Sequence, residues 1–149
     1  MRTTYRVFSL ALLAVACARQ SERVPGENAG MAPSGLAGTK WKLVQFAGIK
    51  NTDIRVPAGL DNYSIAFGAD GTVAVQADCN RGTGTWSSPE PSVLRFSQLN
   101  VTTIGCQSGG MDYKFLKDFE YMAFSSIRNG HLYISLRADR GSYEFEPAS

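Results

Sequence analysis

From Leu36 onward, apolar and polar residues alternate in short runs with the two-residue period of strands that bury one face. Trp41, Leu43 and Gln45 share a face of the first run. Tyr63, Ile65 and Phe67 lie on one side of the next, and beyond the turn-forming Ala69-Asp70-Gly71, Val73, Val75 and Ala77 repeat the pattern, which predicts a hairpin. The Gly-rich stretch Arg81–Thr85 leads into Trp86, Ser87–Ser92 turns, and Leu94 and Phe96 are the expected buried pair of a short strand. A further extended segment is expected over Leu99–Ile104.

Between Gly110 and Ser126 the period changes. Met111, Phe115, Phe119, Met122 and Ala123 recur at spacings of three and four, which predicts one amphipathic helix whose aromatic stripe faces the core. Asp112 suits the positive end of the helix dipole, and Lys114 can reach Asp118 one turn later. Phe124–Arg128 then meets Asn129-Gly130, the dipeptide suited to a two-residue hairpin turn. Leu132, Ile134 and Leu136 alternate along the following run, and Tyr143 with Phe145 closes a three-strand meander.

The leading segment has a different organisation. Met1–Arg6 is short and basic, Val7–Val15 is apolar apart from Ser9, and Ala16 precedes Cys17, which together form a secretory signal pattern. The apolar run is well below the roughly 20 residues that cross a bilayer as a helix. LAVAC resembles the lipobox of bacterial lipoproteins, in which the Cys receives diacylglycerol and becomes the new amino terminus; Ala14 stands where Leu is usual, with Leu13 one place earlier, so cleavage nearby by an ordinary signal peptidase is the alternative. The expected organisation is a lipoprotein signal peptide over 1–16, lipidated Cys17 with a flexible tether over 17–35, and one domain over 36–149. Two or three acyl chains give stable membrane anchoring, at about 0.8 kcal/mol per buried methylene. Ala18, where inner-membrane retention would call for an acidic residue, favours the outer membrane, facing the periplasm. Residues 18–35 carry two prolines, three glycines and only Val24 and Met31 as larger apolar side chains. As a coil this tether spans on the order of 20–25 Å.

Composition narrows the function. Hydrophobic residues make up 44% and charged residues 19%, a globular balance. The net charge of +2 belongs to the whole chain; without Arg2 and Arg6 the fifteen basic residues become thirteen, matching the thirteen acidic ones. Near-neutral charge with no Lys/Arg run leaves a nucleic-acid partner without an electrostatic footprint. With Cys17 lipidated, Cys79 and Cys106 remain as an even pair in an exported protein, and a disulfide is the first expectation, contributing roughly 3.5 kcal/mol in the chain-entropy model. His131, the single histidine, sits on the polar side of an expected strand with no motif beside it. One His and two distant Cys form no recognisable metal set, and Gly82-Thr83-Gly84 lacks the lysine and helix of a phosphate cradle. Asp61, Asp70, Asp78, Asp112 and Glu120 show no catalytic pairing, so turn, cap or solvated roles are expected. The chain is read as a non-enzyme with no cofactor and no metal.

The order of motifs is more specific than any one of them. LAGTKWKLVQFAG at 36–48, ADCNRGTGTWS at 77–87, TTIGCQSGGMDYKFLKDFEYM at 102–122 and the closing NGHLYISL resemble the META domain, the HslJ-like family of small envelope proteins. Its sharper elements here are Gly38-Thr39 with Trp41, Cys79-Asn80-Arg81 followed by Gly84, and Thr103 with Cys106. The resemblance implies an α+β fold, a small antiparallel β-barrel-like pair of sheets with one packed α-helix. Bacterial members of that family are often lipoproteins linked to heat or envelope stress, and the resemblance implies no shared catalytic activity; the expected role is contact with an unknown envelope protein. Asn80 and Arg81 are the candidate recognition residues, although Asn beside a Gly-rich turn also serves as a backbone support. Two other functions remain open: a hydrolase inhibitor (of a lysozyme or protease) using a loop around Arg81–Ser88, and a small-ligand binder using an open barrel interior.

Overall fold

The computed structural model describes residues 35–49, 54–55, 62–106 and 110–149. Cys17, the expected signal segment, the expected tether through residue 34 and Asp61 lie outside the described residues. The strands are β1 (Thr39–Ala47), β2 (Ile54–Arg55), β3 (Tyr63–Phe67), β4 (Thr72–Ala77), β5 (Asn80–Ser87), β6 (Arg95–Phe96) and β7 (Asn100–Val101). Helix α1 (Asp112–Asp118) and a 3-10 turn at Phe119–Tyr121 come next, followed by β8 (Met122–Arg128), β9 (His131–Leu136) and β10 (Ser142–Pro147).

The expected pair of sheets is instead one continuous antiparallel sheet in the order β6-β5-β4-β3-β1-β10-β9-β8, with β2 added to β1 and β7 to β5. It curls until its two ends nearly meet. Leu94 donates its amide to Ala123 O, Ser125 donates to Ser92 O, and Val93 bridges Phe124. Near-closure covers the edges that would otherwise offer unpaired backbone groups.

Alternation delivers the core as the sequence predicts on most strands. Ile65, Phe67, Val73, Val75, Ala77, Leu132, Ile134, Tyr143 and Phe145 are all buried. The hairpin turn at Asn129-Gly130 takes positive φ at both residues, 51° and 81°, as that dipeptide allows. Strand β1 departs from its expected face. A bulge between Leu43 and Gln45 turns the chain over, so Phe46 enters the core and the Gln45 amide points outward to donate to Glu144 Oε2 at 2.6 Å.

The expected helix over Gly110–Ser126 is also corrected. It spans only Asp112–Asp118, and Met122 and Ala123 belong to β8. A register shift between Met122 and Phe124 lets two adjacent strand residues face inward, and that bulge imitates the three-and-four spacing of a helix. Likewise only Asn100–Val101 of the extended segment expected over Leu99–Ile104 pairs as a strand.

Helix α1 plugs one end of the barrel. Phe115, fully buried, packs edge-on against Tyr63, Phe119 and Tyr143 with ring centroids 5.3–6.0 Å apart. Met111 donates its amide to the Tyr63 hydroxyl at 3.1 Å, fixing the start of the plug to the same end of β3. Gly35 and Leu36 lie at the opposite end, where Gly38 donates its amide to Phe67 O.

A cleft walled by a stapled strap

An open cleft of about 810 Å³ runs along the barrel flank between α1 and the strap of residues 96–105. Its apolar lining comes from Phe96, Leu99 and Val101 of the strap and from Tyr113, Leu116 and Phe119 opposite, with Lys117 and Glu120 on the helical side. Val101, Ile104 and Tyr113 are 42%, 60% and 74% exposed, an unusual concentration of large apolar side chains.

The strap lies close to β5 because β5 carries glycine there. A Cβ on Gly84 would stand 2.8 Å from Ser97 Oγ and 2.9 Å from Leu99 Cδ2; one on Gly82 would stand 3.2 Å from Val101 Cγ1. The Gly-Thr-Gly of the sequence is therefore a seat for the strap.

Asn80 holds the other end of the strap. Only 3% exposed, its Nδ2 donates to Ile104 O at 3.0 Å and to Asp112 Oδ2 at 3.2 Å, and lies 3.3 Å from Cys106 Sγ. Its Oδ1 accepts from Ile104 N at 2.8 Å and from Thr102 Oγ1 at 3.1 Å. One buried amide thus joins the β4–β5 turn, the strap and the first residue of α1. Arg81, one residue on, faces outward with an exposed side chain, while its backbone exchanges bonds with Thr102. The Cys79–Cys106 disulfide, Cα–Cα 5.6 Å, staples the strap beside Asn80.

The remaining candidates take structural places. His131 Nδ1 is 2.9 Å from Glu144 Oε1, which also accepts from the Tyr133 hydroxyl at 3.1 Å; burial first, then Glu144, raises the Tyr133 pKa. Asp70 accepts from Thr72 Oγ1 and N in the β3–β4 turn, and these bonds hold its carboxyl below the usual range. Asp112 braces Asn80, and Glu120 lies at the cleft. Asp118 bonds Lys114, as the helical spacing predicts, and accepts from the Tyr143 hydroxyl at 2.7 Å. Among the described residues, no group of three or more His, Cys, Asp or Glu is placed to hold a metal ion. Two expectations tied to the barrel shift. Arg81–Ser88 is no projecting loop, since β5 pairs with β4 on one side and with β6 and β7 on the other. The barrel interior is filled by side chains including Phe67, Phe115, Tyr143 and Phe145, so the apolar cavity lies on the flank.

A nearly closed antiparallel barrel, plugged by a short helix and carrying a cleft beside a stapled strap, defines a small β-barrel module. The chain belongs to the META domain family, whose model matches residues 34–148. No curated protein sequence matches it. Two solved structures share the architecture. An NMR structure of a protein from Burkholderia xenovorans aligns with a TM-score of 0.66 at 15% identity, covering 99% of each chain. A crystal structure of a DUF4847 family protein from Bacteroides vulgatus aligns with a TM-score of 0.52 at 18% identity, covering 74% of this chain and 93% of that one. At such identities the likeness concerns the fold alone.

Proposed function

We propose that this protein is a non-enzymatic, lipid-anchored META-domain module of the cell envelope, and that it supports envelope integrity or stress tolerance by gripping another envelope protein in the flank cleft. The observation that carries this reading is the cleft itself, with three large apolar side chains exposed on walls fixed by a buried hydrogen-bond hub and a disulfide. A preformed apolar site of that kind is the default binding surface of a small domain. The disulfide supports an oxidising compartment, and the lipobox-like LAVAC supports acylation at Cys17. Gly35 lies at the barrel end opposite the start of α1 and the disulfide, so an anchor reached through the tether would leave the disulfide end of the cleft directed away from the bilayer.

The test is capture from envelope extract by the purified mature protein, compared with Ile104→Asp, Tyr113→Ala and Arg81→Ala. Ile104 and Tyr113 are exposed enough to change without disturbing the core. Loss of the same captured protein with Ile104→Asp and Tyr113→Ala is expected. Capture indifferent to both would remove the cleft from the account. Mass spectrometry of the native protein tests the anchor, and an unmodified Cys17 contradicts it.

A further inference from the structure

The strap is held very unevenly along its length. Ser97 donates its amide to Thr85 O, Asn100–Val101 pairs with β5, and Thr102 donates to Arg81 O. Among the described residues the backbone ladder with β5 ends at Thr102, and residues 103–106 are fixed by the Asn80 side chain at Ile104 and by the disulfide at Cys106. None of the large core side chains lies in this stretch, and residues 102–105 are exposed. Cys79 is itself exposed and Cys106 half-buried. Cys79 sits in the turn between β4 and β5, whose six-residue ladder does not depend on the bridge.

We propose that the Cys79–Cys106 bridge is a thiol-responsive clasp: reducing it frees the 103–106 end of the strap and opens the Thr103–Gly105 part of the cleft wall, while the β5-paired part of the strap and the barrel stay folded. The reductant class is a dithiol. One of its thiolates attacks a sulfur of the bridge, the S–S bond breaks, and a mixed disulfide forms as the departing thiolate takes a proton. The second thiolate of the reductant resolves the mixed disulfide, leaving Cys79 and Cys106 as thiols and the reductant as a disulfide, a two-electron exchange. Loss of the clasp lowers the free energy of local opening where few other contacts hold the backbone, and distant strands keep their protection. The consequence for partner capture rests on the reading of the cleft as the contact site; the opening itself does not.

Hydrogen exchange read by mass spectrometry on the whole mature protein tests the clasp, comparing oxidised protein, dithiol-treated and alkylated protein, and Cys79→Ser/Cys106→Ser. Exchange at Ile104, whose amide donates to Asn80 Oδ1, is expected to accelerate at least about tenfold in both reduced forms. Peptides from β1 and β10 should stay protected. The proposal is overturned by unchanged exchange across 102–106, by loss of protection throughout the barrel, by failure of the double variant to fold, or by a bridge that dithiol leaves intact in the native protein. The envelope-extract capture separates the two ideas. If the strap opens on reduction yet oxidised and reduced proteins capture equally, the cleft is not the contact site and the clasp stands. If Ile104→Asp abolishes capture but reduction leaves the strap closed, the clasp fails and the contact site stands.

Discussion

Tyr143→Phe isolates one buried polar contact with little change in packing. The Tyr143 ring is fully buried, within 4.7 Å of Phe46 and 5.3 Å of Phe115, and its hydroxyl donates to Asp118 Oδ2 at 2.7 Å. A hydrogen bond to an ionised acceptor contributes about 1.5–3 kcal/mol, and its loss leaves Asp118, only 8% exposed, with Lys114 as its remaining side-chain partner among the described bonds. The variant should therefore be less stable by about 1.5–3 kcal/mol at neutral pH. The difference should also depend on pH. Burial, then the Asp118 carboxylate, raises the Tyr143 pKa well above its ordinary 10.0. Above that value the unfolded chain releases the phenolic proton and the folded chain keeps it, so the folded state binds more protons. Stability from this group is complete below about pH 10 and falls above it by about 1.4 kcal/mol per pH unit. Tyr143→Phe lacks this loss, whereas Tyr63 and Tyr133, whose pKa values are also raised, act equally in both proteins. Urea unfolding from about pH 8 to 11 should show a constant gap up to pH 10 and a narrowing one beyond. A gap that is the same at every pH would refute the buried-phenol argument.

Three further outcomes follow from packing. Gly141→Ala should cost at least about 2 kcal/mol in thermal melts, because Gly141 has φ +114° and an added Cβ would stand 2.4 Å from Ala47 O; a melting temperature within a degree or so of the parent would contradict the register of β1 on β10. Phe115→Ala should lose about 3–5 kcal/mol in urea unfolding, as expected for emptying a ring site at the centre of the plug, and a loss under about 1 kcal/mol would mean that α1 does not close the barrel. Gly84→Ala should displace the strap, detected as faster exchange at Ser97 and Leu99, because its Cβ would fall within 2.9 Å of both side chains.

Strand content was legible wherever a strict period of two coincided with one buried face. β4 and β9 meet that condition, and in β3 the alternation still selects Tyr63, Ile65 and Phe67 although Ser64 on the other face is buried too. Sequence reasoning failed at the two bulges, for a common cause. One extra residue in β1 moves the inner position from Gln45 to Phe46, and one in β8 places Met122 and Ala123 side by side on the core. A periodicity argument assumes unbroken phase, and only pairing with the neighbouring strand reveals where phase is lost. The cleft was illegible for a different reason. Its walls come from the strap of residues 96–105 and from α1, and the fact that Gly82 and Gly84 face Leu99 and Val101 depends on how β7 registers on β5. The one available signal was glycine at alternate positions of a strand, which marks close approach by another segment.

The same alternation separates two neighbours that the sequence groups as one recognition pair. Asn80 and Arg81 are adjacent on β5, so they face opposite sides of the sheet. Asn80 has both its amide nitrogen and its oxygen engaged with the strap and α1, whereas Arg81 presents its side chain to the surface. Asn80→Ala should therefore lower stability by about 1–3 kcal/mol through the unpaired groups it leaves on Ile104 and Thr102, and should speed exchange at Ile104. Arg81→Ala should leave stability within about 0.5 kcal/mol of the parent, as for an exposed surface change. Any loss of capture in Arg81→Ala then reports contact directly, while the same loss in Asn80→Ala reports a deformed wall. If Asn80→Ala melted like the parent protein, the amide would not be the fastening that joins turn, strap and helix.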